Sequence, residues 1–278
     1  MMTNTFPFSA IVGQSAMKTA LILTAIDQSL GGVLNFGTRG TGKSTAVRGL
    51  AGLLPPLMAV RDCPVHSSTP DDVPDWAEPT STEIVSISTP VIDLPLGATE
   101  DRVTGALDIE KALTRGEKAF QPGLLASANR GFLYIDEINL LEDHIIDLLL
   151  DVAQSGINVV ERDGLSVRHP SRFVLIGSGN PEEGDLRPQL LDRFGLSVDV
   201  GNPTDINERI EVLKRRDSYE RDPQQFRRNW SGEEDKIRKS IIYARDCLDD
   251  ITISDNAMRD MAHLCEKLGA DGLRGELT

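Results

Sequence analysis

Gly32-Val33-Leu34-Asn35-Phe36-Gly37-Thr38-Arg39-Gly40-Thr41-Gly42-Lys43-Ser44-Thr45 is the stretch that decides the fold. A short apolar strand runs into a glycine-spaced turn. The turn opens a helix predicted from Lys43 to Leu54 and stopped by Pro55-Pro56. The spacing Gly37-x-x-x-x-Gly42-Lys43-Ser44 suits a loop that cradles phosphate. Glycines permit the backbone angles that point successive N–H groups inward, and the helix N-terminus adds its positive end. In such a loop Lys43 neutralises the β and γ phosphates of a nucleotide, and the Ser44 hydroxyl ligates Mg²⁺. Thr45 follows in the first helical turn. A random chain of this length meets the pattern about once in a hundred, and the strand and helix flanks lower that rate.

A second stretch settles the matter. Phe132-Leu133-Tyr134-Ile135-Asp136-Glu137 is an apolar strand that ends in two acids. Beside a phosphate loop, Asp136 is placed to hold Mg²⁺, directly or through water. Glu137 is placed to orient and deprotonate an attacking water. The pair implies an ATPase that uses ATP and Mg²⁺.

Outward from these two points, strands alternate with helices. Ser15 to Ile26 has helical spacing, Glu142 to Gln154 is an amphipathic helix ended by Gly156, and Arg172 to Gly177 is another buried strand. Asn158 to Glu161 and Leu165 to Arg168 flank Asp163-Gly164, a hairpin signal. Arg61 to Thr82, with four prolines, reads as an irregular connection. The fold class is α/β, a parallel sheet flanked by helices. After about Gly201 only helices are expected. One begins at Pro203-Thr204-Asp205 with Thr204 as its cap, and another opens at Ser254 and ends near Gly269. The expected domains are 1–201, α/β and nucleotide-binding, and 202–278, a small helical lid.

Composition narrows the function. The 278 residues carry a net charge of -14, a field that repels nucleic acid and argues against a DNA-acting motor. No apolar run is long enough to span a membrane, and no signal peptide is visible. Cys63, Cys247 and Cys265 form no Cys-x-x-Cys pair, and the four histidines lack metal-ligand spacing. A cytoplasmic protein is expected.

The chain resembles the AAA+ superfamily over nearly its whole length. Ile11-Val12-Gly13-Gln14 resembles the segment that packs on adenine, so Val12 is implied in nucleotide binding, with Gly37 through Thr45. Asn180 sits where the family's sensor 1 asparagine contacts the γ-phosphate or the water. Leu190-Leu191-Asp192-Arg193-Phe194 resembles the arginine-finger box, which implies that Arg193, or the nearby Arg187, reaches the ATP of a neighbouring subunit. Gly272-Leu273-Arg274 resembles sensor 2, an arginine of the lid. An insert at about 90–123 and a hairpin at about 156–170 mark the clade with a helix-2 insert and a pre-sensor-1 hairpin.

Longer runs resemble one family within that clade, the I subunits of magnesium chelatase. They are Phe6 to Gln14, Asp93 to Val103, Gly105 to Glu110, Gly177 to Gly184 and Asp271 to Thr278. The bacteriochlorophyll branch is closer than the plant one. The resemblance implies an ATPase ring of self-associated subunits, expected to be hexameric, docked on a D subunit and through it on the porphyrin-binding H subunit. ATP hydrolysis there drives Mg²⁺ into protoporphyrin IX. No porphyrin site is visible in this chain, and the Asp93 to Glu110 stretch suits an exposed loop for the D subunit. Two features depart from the family pattern. Thr38 stands where an acid is common, and further lid helices are expected after Thr278. A MoxR-like AAA+ remodelling ATPase is the nearest rival.

Overall fold

The computed structural model describes residues 5–162, 164–184 and 194–269. In chain order the α-helices are α1 (Ser15–Ile26), α2 (Lys43–Leu53), α3 (Glu100–Thr104), α4 (Ile109–Arg115), α5 (Leu124–Ala128), α6 (Asp143–Ser155), α7 (Ile206–Arg221), α8 (Pro223–Cys247) and α9 (Asp255–Leu268). The strands are β1 (Val33–Phe36), β2 (Leu57–Val60), β3 (Ile84–Ile87), β4 (Val91–Leu94), β5 (Gly105–Leu107), β6 (Phe120–Pro122), β7 (Phe132–Ile135), β8 (Ile157–Arg162), β9 (Leu165–Pro170), β10 (Val174–Gly179) and β11 (Leu196–Asp199).

The main sheet has five strands in the order β11-β1-β10-β7-β4, and every pairing is parallel. Its central strands are apolar on both faces, as a parallel sheet covered on two sides requires. Val33, Ile176, Phe132 and Tyr134 face the core built with α1 and α2. Leu34, Leu175, Leu133 and Ile135 face the opposite core, with Ile145, Leu149 and Leu150 of α6. The strand–helix alternation read from the sequence is thus realised, with boundaries moved by one or two residues.

Three features differ from the sequence reading. First, Val91–Leu94 pairs with β7 as an edge strand of the main sheet. The expected insert at about 90–123 therefore begins only after Leu94. The four residues Val91-Ile92-Asp93-Leu94 are too few to show a period, so they gave no strong strand signal. Second, the irregular connection after Arg61 is bracketed by a small antiparallel sheet of β2 and β3. Third, Asp205, not Thr204, caps α7, because its carboxylate accepts the Asn207 N–H.

The β8–β9 hairpin pairs in register from Ile157↔Pro170 to Arg162↔Leu165. It packs on the insert. Arg162 pairs with Glu100 and Asp101, and Asn158 Nδ2 donates to Thr104 O at 2.8 Å. Phe120, Val160 and Val167 form a satellite core there, with Trp76 edge-on to Phe120.

The helices after residue 201 form no core of their own among the described residues. Ile241 of α8 is fully buried in the α1–α2 core. Arg238 Nε donates to Leu53 O at 2.6 Å, and Arg245 Nε donates to Ala25 O at 2.9 Å. These two arginines hydrogen-bond the carbonyls of Leu53, the last residue of α2, and Ala25, in the last turn of α1, where the macrodipole is negative. Among described residues no helix is long and apolar enough to cross a membrane.

Two buried histidines give the fold a pH dependence. His169 Nδ1 lies 3.0 Å from Pro170 O, and its Nε2 lies 2.9 Å from Asn158 Nδ2. Asn158 Nδ2 is a donor, so Nε2 accepts and the ring is neutral. Burial pushes the His169 pKa below its ordinary value. Burial also lowers His66, with Arg130 adding to the shift and the Ser127 carbonyl opposing it. Both groups bind fewer protons folded than unfolded. Their contribution is therefore complete above the unfolded pKa of about 6.5 and is lost as pH falls below it. The expected result is a melting temperature lower by a few degrees at pH 5 than at pH 7. A His169→Gln variant, melted at both values, should show a smaller fall.

Candidate functional site

The site forms at the C-terminal edge of the parallel sheet, where β1, β7 and β10 end together. Gly37 joins β1 to the phosphate loop and donates its N–H to Gly179 O at 3.0 Å. A Cβ at Gly37 would stand 1.9 Å from Val200 O, so only glycine lets the loop pass β11. Gly40 and Gly42 serve another end. Both have positive φ, +80° and +84°, and no protein atom lies within 4 Å of where a Cβ would be. The loop thus takes left-handed turns around open space, which is the geometry of an anion cradle.

Lys43 begins α2 and is 8% exposed. Its Nζ folds back on the carbonyls of Gly37, Thr38 and Gly179, the last two at 3.2 Å. Burial lowers its pKa, and the carboxylates of Asp136 and Glu137 oppose that shift. Thr41 Oγ1 donates to Thr38 O at 3.0 Å and braces the loop. Asn202 Nδ2 donates to Thr38 Oγ1 at 3.3 Å. Ser44 and Thr45 lie half-buried in the first turn of α2, and Val12 is half-buried in the segment ahead of α1.

Asp136 follows β7 and is held by two hydroxyls. Ser178 Oγ donates to Asp136 Oδ1 at 2.6 Å, and Tyr134 OH lies 3.0 Å from the same oxygen. Burial pushes the Tyr134 pKa far up, so the phenol stays a donor. Both bonds use Oδ1, which leaves Oδ2 without a hydrogen bond among the described residues. Such a fixed carboxylate with a free oxygen suits a hard divalent cation.

Glu137 is left-handed, with φ 58° and ψ 55°, and its N–H donates to Ser178 Oγ at 3.2 Å. Arg39 reaches across from the loop. Its Nε and Nη2 lie 3.0 and 2.8 Å from Glu137 Oε1, and Nη2 also pairs with Glu183. Desolvation raises the Glu183 pKa, and the neighbouring Glu137 carboxylate adds to that, while Arg39 opposes it.

Asn180 ends β10 and is 2% exposed. Its Oδ1 accepts the Glu182 N–H at 3.2 Å, while its Nδ2 is buried with no partner. A buried amide donor without an acceptor costs free energy unless a ligand oxygen supplies the acceptor. The open cradle, the lysine, the fixed carboxylate and this orphaned amide together fit a nucleotide polyphosphate with Mg²⁺.

The structure brings Gly37 to Thr45, Asp136, Glu137 and Asn180 to one place. Arg187, Arg193 and Arg274 lie outside the described residues. Sequence reasoning missed Ser178, Tyr134 and Glu183. Tyr134-x-Asp136 was a usable signal, since residues two apart on a strand share a face. Ser178 was visible only through the strand register. Among the described residues no group of three or more histidines, cysteines and acids is arranged to hold a metal ion.

Comparison with known proteins bears on identity. Residues 108–190 match the family described as magnesium chelatase, subunit ChlI. The chain is 65% identical over 277 residues to the magnesium-chelatase 38 kDa subunit of Cereibacter sphaeroides, covering 100% of this chain and 83% of that one. It is 65% identical over 273 residues to the subunit of the same name in Rhodobacter capsulatus, covering 98% and 78%. A chain in a cryo-EM-based structure of the complex between subunits BchI and BchD of magnesium chelatase matches with a TM-score of 0.70. It is 65% identical, and the match covers 99% of this chain and 86% of that one. Identity at this level over the length of the chain shows that this chain belongs to the BchI/ChlI family of AAA+ ATPases, the I subunits of magnesium chelatase in chlorophyll and bacteriochlorophyll synthesis.

Proposed function

We propose that this chain binds ATP with Mg²⁺ at the Gly37–Thr45 loop and hydrolyses it, and that hydrolysis drives insertion of Mg²⁺ into protoporphyrin IX by a chelatase complex. The observation that carries the ATPase reading is the meeting of Lys43, Asp136, Glu137 and the unpartnered Asn180 amide at one sheet edge. Lys43 exchanges its three carbonyl partners for phosphate oxygens. The loop N–H groups and the α2 N-terminus bind the same anion. Ser44 and Asp136 would hold the cation, whose charge would screen the phosphates. Asn180 donates to the γ-phosphate or to the attacking water. Glu137 takes the proton from that water. Val12 packs on the base.

The remaining roles complete the site from elsewhere. Arg193, with Arg187 as the alternative, stabilises transition-state charge on the ATP of a neighbouring subunit, so turnover needs a ring of copies, expected to be six. Arg274 contacts ATP from the lid, residues 202–278, in the same subunit as the 1–201 nucleotide domain. Similarity to a chain found with BchD supports a D subunit as partner, with the H subunit reached through it. The expected location is the cytoplasm, and nucleic acid is not a partner.

The test is reconstitution. Purified chain, added with ATP and Mg²⁺ to matching D and H subunits, should give Mg-protoporphyrin fluorescence that is absent without it. No gain over D and H alone would overturn the chelatase assignment.

A further inference from the structure

Arg39 sits in the phosphate loop, yet its guanidinium engages carboxylates. It meets Glu137 Oε1 through two nitrogens, at 3.0 and 2.8 Å, and it pairs with Glu183 as well. The arginine side chain is 66% exposed, while the two glutamates are about one-fifth exposed, at 21% and 20%. A solvent-facing cation therefore caps two sheltered acids. We propose that Arg39 is a positioning residue that latches Glu137 away from the attacking water, so that the resting subunit is held in a low-turnover state. This rests on the reading of Glu137 as the base.

The geometry explains how the latch opens and closes. The backbone of Glu137 is pinned by its N–H bond to Ser178, so only the side chain can swing. Glu183 follows Asn180 in the short 3-10 turn Pro181–Glu183, which ties the latch to the strand that carries the unpartnered amide. A carboxylate paired with a guanidinium is a poorer proton acceptor than a free one. Arg39 also holds two like charges side by side. Once it leaves, Glu137 and Glu183 repel and Glu137 is released. The Arg39 side of the pair is exposed and the pair is hence weak, so the latch opens and closes without a large barrier. Arg39 has no packing role, since its side chain lies mostly in solvent.

The test measures steady-state hydrolysis of the chain alone at saturating ATP, in Arg39→Ala, Arg39→Lys and Glu183→Gln. Arg39→Ala should raise kcat about threefold or more with KM changed less than twofold. Arg39→Lys, which can pair but cannot span both acids, should fall between that variant and the parent. Glu183→Gln leaves Arg39 to Glu137 alone and removes the repulsion that releases it, so it should lower kcat, and it gives an independent reading if Arg39→Ala is poorly behaved. A kcat at or below the parent value in Arg39→Ala, or one at or above it in Glu183→Gln, overturns the latch. A KM raised tenfold with kcat retained also overturns it, because Arg39 would then be a phosphate ligand. Adding Glu137→Gln to Arg39→Ala should abolish the gain. Full hydrolysis in Glu137→Gln by itself would instead sink the base assignment, an outcome separate from the latch.

Discussion

Glu137→Gln is expected to bind ATP within about threefold of the parent chain and to turn it over at least ~100-fold more slowly. The two side chains have the same size, so the left-handed turn at φ 58° and its N–H bond to Ser178 survive. What disappears is the carboxylate proposed to take the proton of the attacking water. Asp136 is not expected to replace it, since Ser178 and Tyr134 fix its Oδ1 and its remaining oxygen is the one proposed for the cation. A hundredfold loss is about 2.7 kcal/mol of transition-state stabilisation, well within what a general base contributes. Fluorescent-nucleotide titration and phosphate release measure the two quantities separately. Turnover within tenfold of the parent would place the base elsewhere.

Lys43→Ala is the second large effect, and it strikes binding instead of chemistry. The ammonium is 8% exposed and touches three carbonyls of the loop and β10. Burial has already stripped much of its water and lowered its pKa, so little further desolvation is needed when phosphate arrives. Charge-assisted bonds of this kind are worth about 1.5–3 kcal/mol each. Losing two of them to phosphate implies a fall in ATP affinity of about a hundredfold or more. The variant also leaves the Gly37, Thr38 and Gly179 carbonyls without that donor, which loosens the cradle. Calorimetric titration with ATP-Mg²⁺ measures the loss, and an unchanged far-UV spectrum shows that the fold persists. Affinity within threefold of the parent would remove Lys43 from the site.

These expectations differ in how early they could be made. Lys43, Ser44, Asp136 and Glu137 were legible because each lies at a strand-to-helix or strand-to-loop junction whose local pattern is strong: an apolar run, then glycines or acids. Asn180 was legible as a position after a strand, but its chemical significance was not. Only packing shows that one side of its amide is satisfied by Glu182 and the other by nothing. Ser178 was silent in the sequence. A serine in an apolar strand has no signature until register places it beside Asp136, and β10 pairs with β7 across a gap of nearly forty residues. Arg39 was read as part of a phosphate loop. Its partners come from two other loops, so no spacing rule could reveal them.

The helical part teaches the same lesson at larger scale. A change of composition after Gly201 marks where strands stop, because β-branched runs give way to polar, helix-forming residues. It does not say where those helices lie. α8 has few apolar residues, but Ile241 is fully buried against α1 and α2, and Arg238 and Arg245 seek the unpaired carbonyls at those helices' ends.

By itself, then, the sequence determined the alternation of strand and helix, the phosphate loop and the acidic strand end. Each is a short-range consequence of periodicity, glycine freedom and helix termination. The tertiary structure alone decided the strand order β11-β1-β10-β7-β4, the hydroxyl clamp on Asp136, the unpartnered amide of Asn180 and the embrace of Glu137 by Arg39. Those depend on contacts between residues far apart in the chain, and such contacts form only when burial of both sheet faces brings the strand ends to a common edge.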